Sequence, residues 1–418
     1  MIASALFALA VWAPQEPKVS LPTPEQGYAR PKNRIAGDKA MRIVFLRTSF
    51  DNDADPKVSR HSEAEMNEVG ETLTSFFKIQ SYGSMTVSKF EVSPVVKIGK
   101  SDLYERTDKD GKELPAKQRR NAITDAVVAA QQQLGRDFKK EFDMICVMLN
   151  ASPTGGRIAP TGVAALATGP QTSIFFGPKH QWRVYAHEIG HNMGFPHAWS
   201  VLDKKGAETL SSDRNFIEYG DPTTPMGKGA NSYSIVEKYR MGWIGSRESD
   251  TRFIKQFELG EMNFLAYDRP AAKGCVGGYV NGEFGVEIKE LVSKRDGADN
   301  GGDVPSVETP GPQRLWFSVI SRGNLVKGEM TDLPRPLLLA HLSSLVPPVK
   351  GAGRAFTTVS LDLKPAPATN RREQMVGKGL LPGQTGQIKM KDGKVVTVKF
   401  VGYDSKTHLA KVSAVLQQ

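Results

Sequence analysis

The residues best equipped for chemistry lie in one stretch, HEIGHNMGFPH, from His187 to His197. His187 and His191 are four residues apart, so on an α-helix their imidazoles stand one above the other on the same face. Two imidazoles so placed can share one zinc ion, at Zn–N distances of about 2.0–2.1 Å. Glu188, the next residue round the helix, is badly placed to be a third ligand from that face. It is well placed to take a proton from a metal-activated water. The third ligand must come from beyond the helix. Gly194 can adopt φ > 0 and end it, Pro196 disfavours its continuation, and His197 then returns toward the metal. Three protein ligands leave a fourth position open, which marks a catalytic zinc site rather than a structural one.

Downstream, EYGDPTTPMGKG (Glu218 to Gly229) is a tight-turn segment by its Pro and Gly content. Its Met226 reads as a methionine floor under the ligand histidines. The long histidine pattern followed by such a turn is the metzincin signature. The chain resembles the metzincin zinc peptidases, and within them the gametolysin-like group. The likeness is carried by AHEIGHNMGFPHA, EYGDPTTPMG and EKYRMGWI, with FFKIQSYGSMTV upstream, and spans Met41 to Ile244. It implies one zinc ion held by His187, His191 and His197, with Glu188 as general base and Met226 as the Met-turn residue. The sequence departs from the family at one place. Some metzincins carry a tyrosine two residues after the Met-turn methionine, where it can stabilise an oxyanion. Here that position is Lys228, and Tyr219 and Tyr233 are the nearby tyrosines. The resemblance also implies protein or peptide substrates, laid as an added antiparallel strand along an edge strand above the zinc. TGVAALATG, Thr161 to Gly169, suits that edge, since small side chains let another backbone come close.

Elements that position this centre can be read on both sides of it. MRIVFLRTSF is a strand by its apolar run, and SEAEMNEVGETLTSFFKIQ a helix that starts on Ser. SMTVSKFEVSPVVKIG is strand-like, AKQRRNAITDAVVAAQQQLG an amphipathic helix closed by Gly135, and FDMICVMLNA a core strand. TGVAALATG and TSIFF are short strands leading into the metal helix, and NSYSIVEKYRMGWIG has helical spacing and ends at glycine. From Ser249 the helical periodicity fades. FIKQFELG, RLWFSVISR, AFTTVSLDL, GQIKMK and KVVTVKFVGY are strand-like runs between Gly, Pro and Asp turns. The expected fold is an α/β (α+β) metzincin-like catalytic domain over residues 39–248, with a mixed twisted sheet and a zinc helix. A β-rich, sandwich-like domain follows over 249–418. His341 and His408 of that second region lie in no metal-spaced motif and read as ordinary core-edge or surface histidines.

The chain has 418 residues, 39% of them hydrophobic and 24% charged, which is the composition of a folded protein and not of a disordered one. It opens with MIASALFALAVWAPQEP, an apolar stretch of signal-peptide length with small residues near its end. A signal peptide is expected over residues 1–13 and an extended arm over 14–38. Export follows, to the extracellular space, the periplasm or the cell surface. No other apolar run is long enough to span a bilayer. The two cysteines, Cys146 and Cys275, are too few for a disulfide scaffold. With none before Cys146, the pro-segment cysteine that keeps some metzincins latent has no counterpart. The formal charge of +10 is spread along the chain, and no nucleic-acid motif accompanies it. DNDADP lacks the spacing of a calcium loop and KRDGADNGGD reads as a surface loop, so calcium has no support. No pattern speaks to the oligomeric state. The expected function is a secreted zinc endopeptidase acting on extended chains. The alternative is a secreted binding or adhesion protein with a structural zinc site and its function in the β-rich region, and Glu188 argues against it, since a structural site needs no general base.

Overall fold

A computed structural model describes residues 35–104, 110, 112, 121–150, 162–165, 171–176, 182–203, 214–217, 219–227, 229, 232–257, 260–268, 273–282, 284, 313–321, 336–344, 358–361, 363, 379–390 and 392–417. The leader, most of the arm, KRDGADNGGD and Lys228 lie outside these.

The first sheet grows around β1 (Ala40–Phe50), buried along most of its length. α1 (Glu63–Gln80) begins with a capping box, in which the Ser62 side chain accepts from Glu65 N–H and the Glu65 carboxylate accepts from Ser62 N–H. β2 (Thr86–Val92) and β3 (Val96–Ile98) both run parallel to β1. α2 (Ala122–Leu134) starts on Asn121 and ends at Gly135, whose φ of 66° is the left-handed cap that the sequence predicts. The single turn α3 (Phe138–Glu141) leads into β4 (Met144–Leu149), which is buried throughout. β5 (Gly162–Ala165) and β6 (Gln171–Phe176) complete the order β2-β1-β4-β6-β5. β4 is parallel to both of its neighbours, β1 and β6. β5 alone is antiparallel, and it is the edge. The predicted edge strand is therefore present, shorter than TGVAALATG. Period-two alternation along β1 sends Ile43 and Phe45 to one core with α1 and the metal helix, α4 (Trp182–Met193), and sends Val44 and Leu46 to another with α2.

The β-rich region is a sandwich, and its strands do not begin at residue 249. β7 (Ala198–Asp203) and β8 (Arg214–Ile217) follow the metal helix directly, and α5 (Ile235–Arg240) comes next. β9 (Arg252–Gln256), β10 (Gly260–Leu265), β11 (Gly274–Gly282), β12 (Gln313–Ile320), β13 (Leu337–Ser344) and β14 (Thr358–Leu361) come after, then β15 (Gly379–Leu380), β16 (Thr385–Lys389), β17 (Val395–Asp404) and β18 (Leu409–Gln417). One sheet has the order β8-β7-β14-β13-β12-β11-β9, with β15 on β13, and the other β10-β18-β17-β16. The first thus draws strands from both sides of residue 248. Leu315, Phe317 and Val319 of β12 face the second sheet through Phe264, Val398, Phe400 and Val412. Trp316 and Ile320 face the other way, into a core with Ile235, Val236 and Tyr239 of α5. A sheet covered on both faces needs the near-continuous apolar runs of β12 and β13. This accounts for the apolar run LLLAHL; separately, among the described residues no helix is long and apolar enough to cross a membrane.

Candidate metal centre

α4 carries His187 and His191 on one face, and its end brings in His197. Gly194 has φ 99°, a conformation that favours glycine, and the turn closes with Gly194 N–H to His191 O at 2.9 Å and Phe195 N–H to Gly190 O at 3.0 Å. The chain reverses, and His197 sits just ahead of β7. One ring nitrogen from each of the three histidines lies within 4.8 Å of the others. The His187 and His191 rings are 4.6 Å apart, and that of His197 is 5.3 Å and 4.8 Å from them.

The hydrogen bonds decide what the three nitrogens can do. His187 Nδ1 lies 2.7 Å from the Pro225 carbonyl, and His191 Nδ1 2.7 Å from the Phe195 carbonyl. A carbonyl only accepts, so each Nδ1 carries the proton. In the neutral ring the lone pair is then on Nε2. The two Nε2 atoms face each other at 3.1 Å. Two lone pairs at that separation repel unless a cation lies between them. Two nitrogens on a tetrahedral zinc, with bonds of about 2.0–2.1 Å, stand about 3.3 Å apart. The donor set, its spacing and its tautomers fit zinc, and the carbonyls that fix the tautomers are the outer partners such a site needs.

The Met226 turn supplies one of those carbonyls and also the floor. Met226 is fully buried in the same core as Tyr185, Ile189 and Phe195. A Cβ built on Gly190 would overlap Met226 Sδ, so glycine between the two helical histidines is what lets the methionine approach. Ala198 N–H donates to Met226 O at 2.9 Å, tying the turn to the residue after His197. The turn is held from behind as well. Thr224 Oγ1 donates to Glu237 Oε2 at 2.8 Å, and Met226 N–H donates to Thr224 Oγ1 at 3.2 Å. Glu237 caps α5 reciprocally with Ser234. Burial pushes the Glu237 carboxyl up to about 7 against the hydrogen bonds from Ser234 and Thr224. Asp221 anchors the start of the turn, accepting from Thr223 N–H at 2.8 Å and Thr223 Oγ1 at 2.6 Å.

The residues read from the sequence come together. One ring nitrogen from each of His187, His191 and His197 meets at one point, Met226 packs against Gly190 between the two helical histidines, and Glu188 is on the same helix, 7% exposed. Of the two tyrosines near the turn, Tyr233 is committed elsewhere, since its hydroxyl donates to Ala186 O at 2.7 Å. Tyr219 lies with its ring 4.0 Å from that of His197 and 5.7 Å from that of His187. Its φ of 59° is rare for a side chain of this size. Neither of the β-region histidines read from the sequence joins the trio: His408 meets Tyr403 Oη at 2.9 Å, and His341 is wholly buried against Asp221. Sequence reasoning missed Asp221 and Glu237. A turn-initiating Asp and a Ser-x-x-Glu capping box were the signals available.

A comparison with curated proteins finds no match. Residues 120–255, which include α2, the metal helix, the Met226 turn and α5, match the family model of gametolysin peptidase M11, a metzincin-type family of zinc metallopeptidases.

Proposed function

We propose that this chain is an exported zinc endopeptidase that cuts extended protein segments. The observation that carries the reading is the pair of Nε2 atoms, 3.1 Å apart, with both Nδ1 atoms committed to carbonyls. The family match over residues 120–255 supports the class of reaction. A zinc ion held by His187, His191 and His197 would supply the positive charge that acidifies a water and polarises the scissile carbonyl. Glu188 takes the proton of the attacking water and returns it to the leaving amine. Its burial keeps bulk water from competing for that proton. Met226 packs beneath the helix that carries two of the histidines, and Pro225 O and Phe195 O keep them in the metal-binding tautomer. β5 offers an edge whose outward backbone groups can pair with a substrate strand, which favours unfolded or extended chains over helices. Export rests on the apolar leader. The test is cleavage of denatured casein and of a peptide library with and without a zinc chelator, together with N-terminal sequencing of protein recovered from the culture medium. Cleavage that is indifferent to chelation, or absent from the zinc-loaded protein, would reject the reading.

A further inference from the structure

Resting on that zinc reading, we propose that His341 is a positioning residue for the metal centre, acting from the β-rich region through the Met226 turn. Period-two alternation along β13 sends Leu338, Ala340 and Leu342 into the sandwich core and Leu337 and Leu339 toward α5. His341 falls on the α5 face. It is fully buried, and its Nε2 donates to Asp221 Oδ2 at 3.0 Å across 120 residues of sequence. Asp221 spends its other oxygen on Thr223 N–H and Thr223 Oγ1. Burial pushes the Asp221 carboxyl up, but the hydrogen bonds from His341 and Thr223 outweigh it and hold the group below its ordinary range. Asp221 is thereby pinned at the head of the turn. Four residues later the Pro225 carbonyl accepts from His187 Nδ1. The connected chain is His341, Asp221, the turn, Pro225 O and His187. A second tie reinforces it, since β14 pairs with β7 immediately after His197. Two metal-facing histidines are thus braced by strands of the β-rich region, which makes that region part of the centre's scaffold.

The test uses the full chain, with zinc affinity read by chelator competition and geometry read from the visible absorption of the cobalt(II)-substituted protein. His341→Leu removes the donor, and zinc should dissociate about tenfold to hundredfold more readily, the usual effect of losing an outer partner of a metal ligand. His341→Gln keeps an N–H at a similar distance from the backbone and should recover most of the affinity and the parent cobalt spectrum. A merely structural role would lower the melting temperature of both variants and leave the affinity of the folded protein alone. If His341→Leu does not fold because Asp221 is left charged and alone, the double variant His341→Leu with Asp221→Asn carries no stranded charge. It should fold and still bind zinc weakly. Parent-like affinity in folded His341→Leu or in the folded double variant, or equal loss in His341→Leu and His341→Gln, overturns the inference. A parent protein that binds zinc no better than His187→Ala overturns the zinc reading itself.

Discussion

Replacing Gly190 by alanine should weaken the metal centre although alanine is the better helix former. On an exposed helix this change stabilises by about 1 kcal/mol. Here the added Cβ would overlap Met226 Sδ and lie 3.4 Å from both Met226 Cε and Tyr233 Oη. The sulfur would have to withdraw by roughly 1 Å to reach ordinary contact at about 3.5–4.0 Å. Met226 is fully buried and its backbone is tied to Ala198 and Thr224, so it withdraws only by displacing its neighbours or the turn. Overpacking of this kind costs about 1–3 kcal/mol, so the clash matches or exceeds the propensity gain. The net change in folding stability is then a loss of about 0–2 kcal/mol. The larger effect falls on zinc: displacing the turn pulls Pro225 O off His187 Nδ1 and should weaken binding about 10–100-fold. Chemical denaturation and chelator competition measure the two effects separately. The cycle with Met226→Ala should show favourable coupling of about 0.5–3 kcal/mol, since the smaller side chain makes room for the new methyl. A Gly190→Ala protein that is more stable than the parent and holds zinc equally well would refute the packing argument.

Glu188→Gln should retain zinc while kcat falls by about 10²–10⁴-fold; parent-like turnover would remove Glu188 from the mechanism. Along β5 successive N–H groups point alternately toward β6 and away from it, so one of Ala164→Pro and Ala165→Pro should raise KM at near-parent stability while the other lowers the melting temperature. If neither changes KM, the substrate lies elsewhere. Glu237 sets a pH dependence. Its folded pKa, about 7, is above its ordinary 4.5, so its contribution is fully present below 4.5 and is lost as pH rises through 7. Lys238 beside it works in the opposite sense: burial brings it down to about 7, so its contribution is lost as pH falls through 7. Glu237→Gln isolates the first effect, and the melting temperature of that variant relative to the parent should rise between pH 5 and pH 8. A difference that is flat with pH would show that Glu237 ionises as freely folded as unfolded.

The centre itself was legible because its geometry is local. His187, His191 and Gly194 act within one helix and its cap, and periodicity and left-handed glycine describe such a unit fully. The Ser start of α1, the Gly135 cap and the β4 core strand were legible for the same reason. What escaped was long-range pairing. AWSVLD alternates too weakly to be separated from a loop, and nothing in it names β14 as its neighbour. GCVGGYVNG, with four glycines, has the composition of a turn, yet it forms β11 because β9 and β12 supply its hydrogen bonds. His341 looked ordinary because its partner lies 120 residues away, and burial of a histidine against an aspartate leaves no mark on spacing.

The parallel seam between β7 and β14, where Ala198 meets Thr358 and Ser200 meets Ser360, also sets the order in which the molecule can be assembled. As the chain leaves the ribosome, α4 can coil at once, presenting His187 and His191. The strand that begins one residue after His197 has one neighbour made soon after it, β8, and one made much later, β14. Distant pairings form slowly because loop closure precedes any gain in contact energy. One side of β7 can therefore be satisfied early in synthesis, while the other stays open until the chain has passed residue 361. A chain that ends short of β14 keeps all three histidines but leaves an unpaired strand edge directly behind the last of them, a ready place for a wrong partner to add.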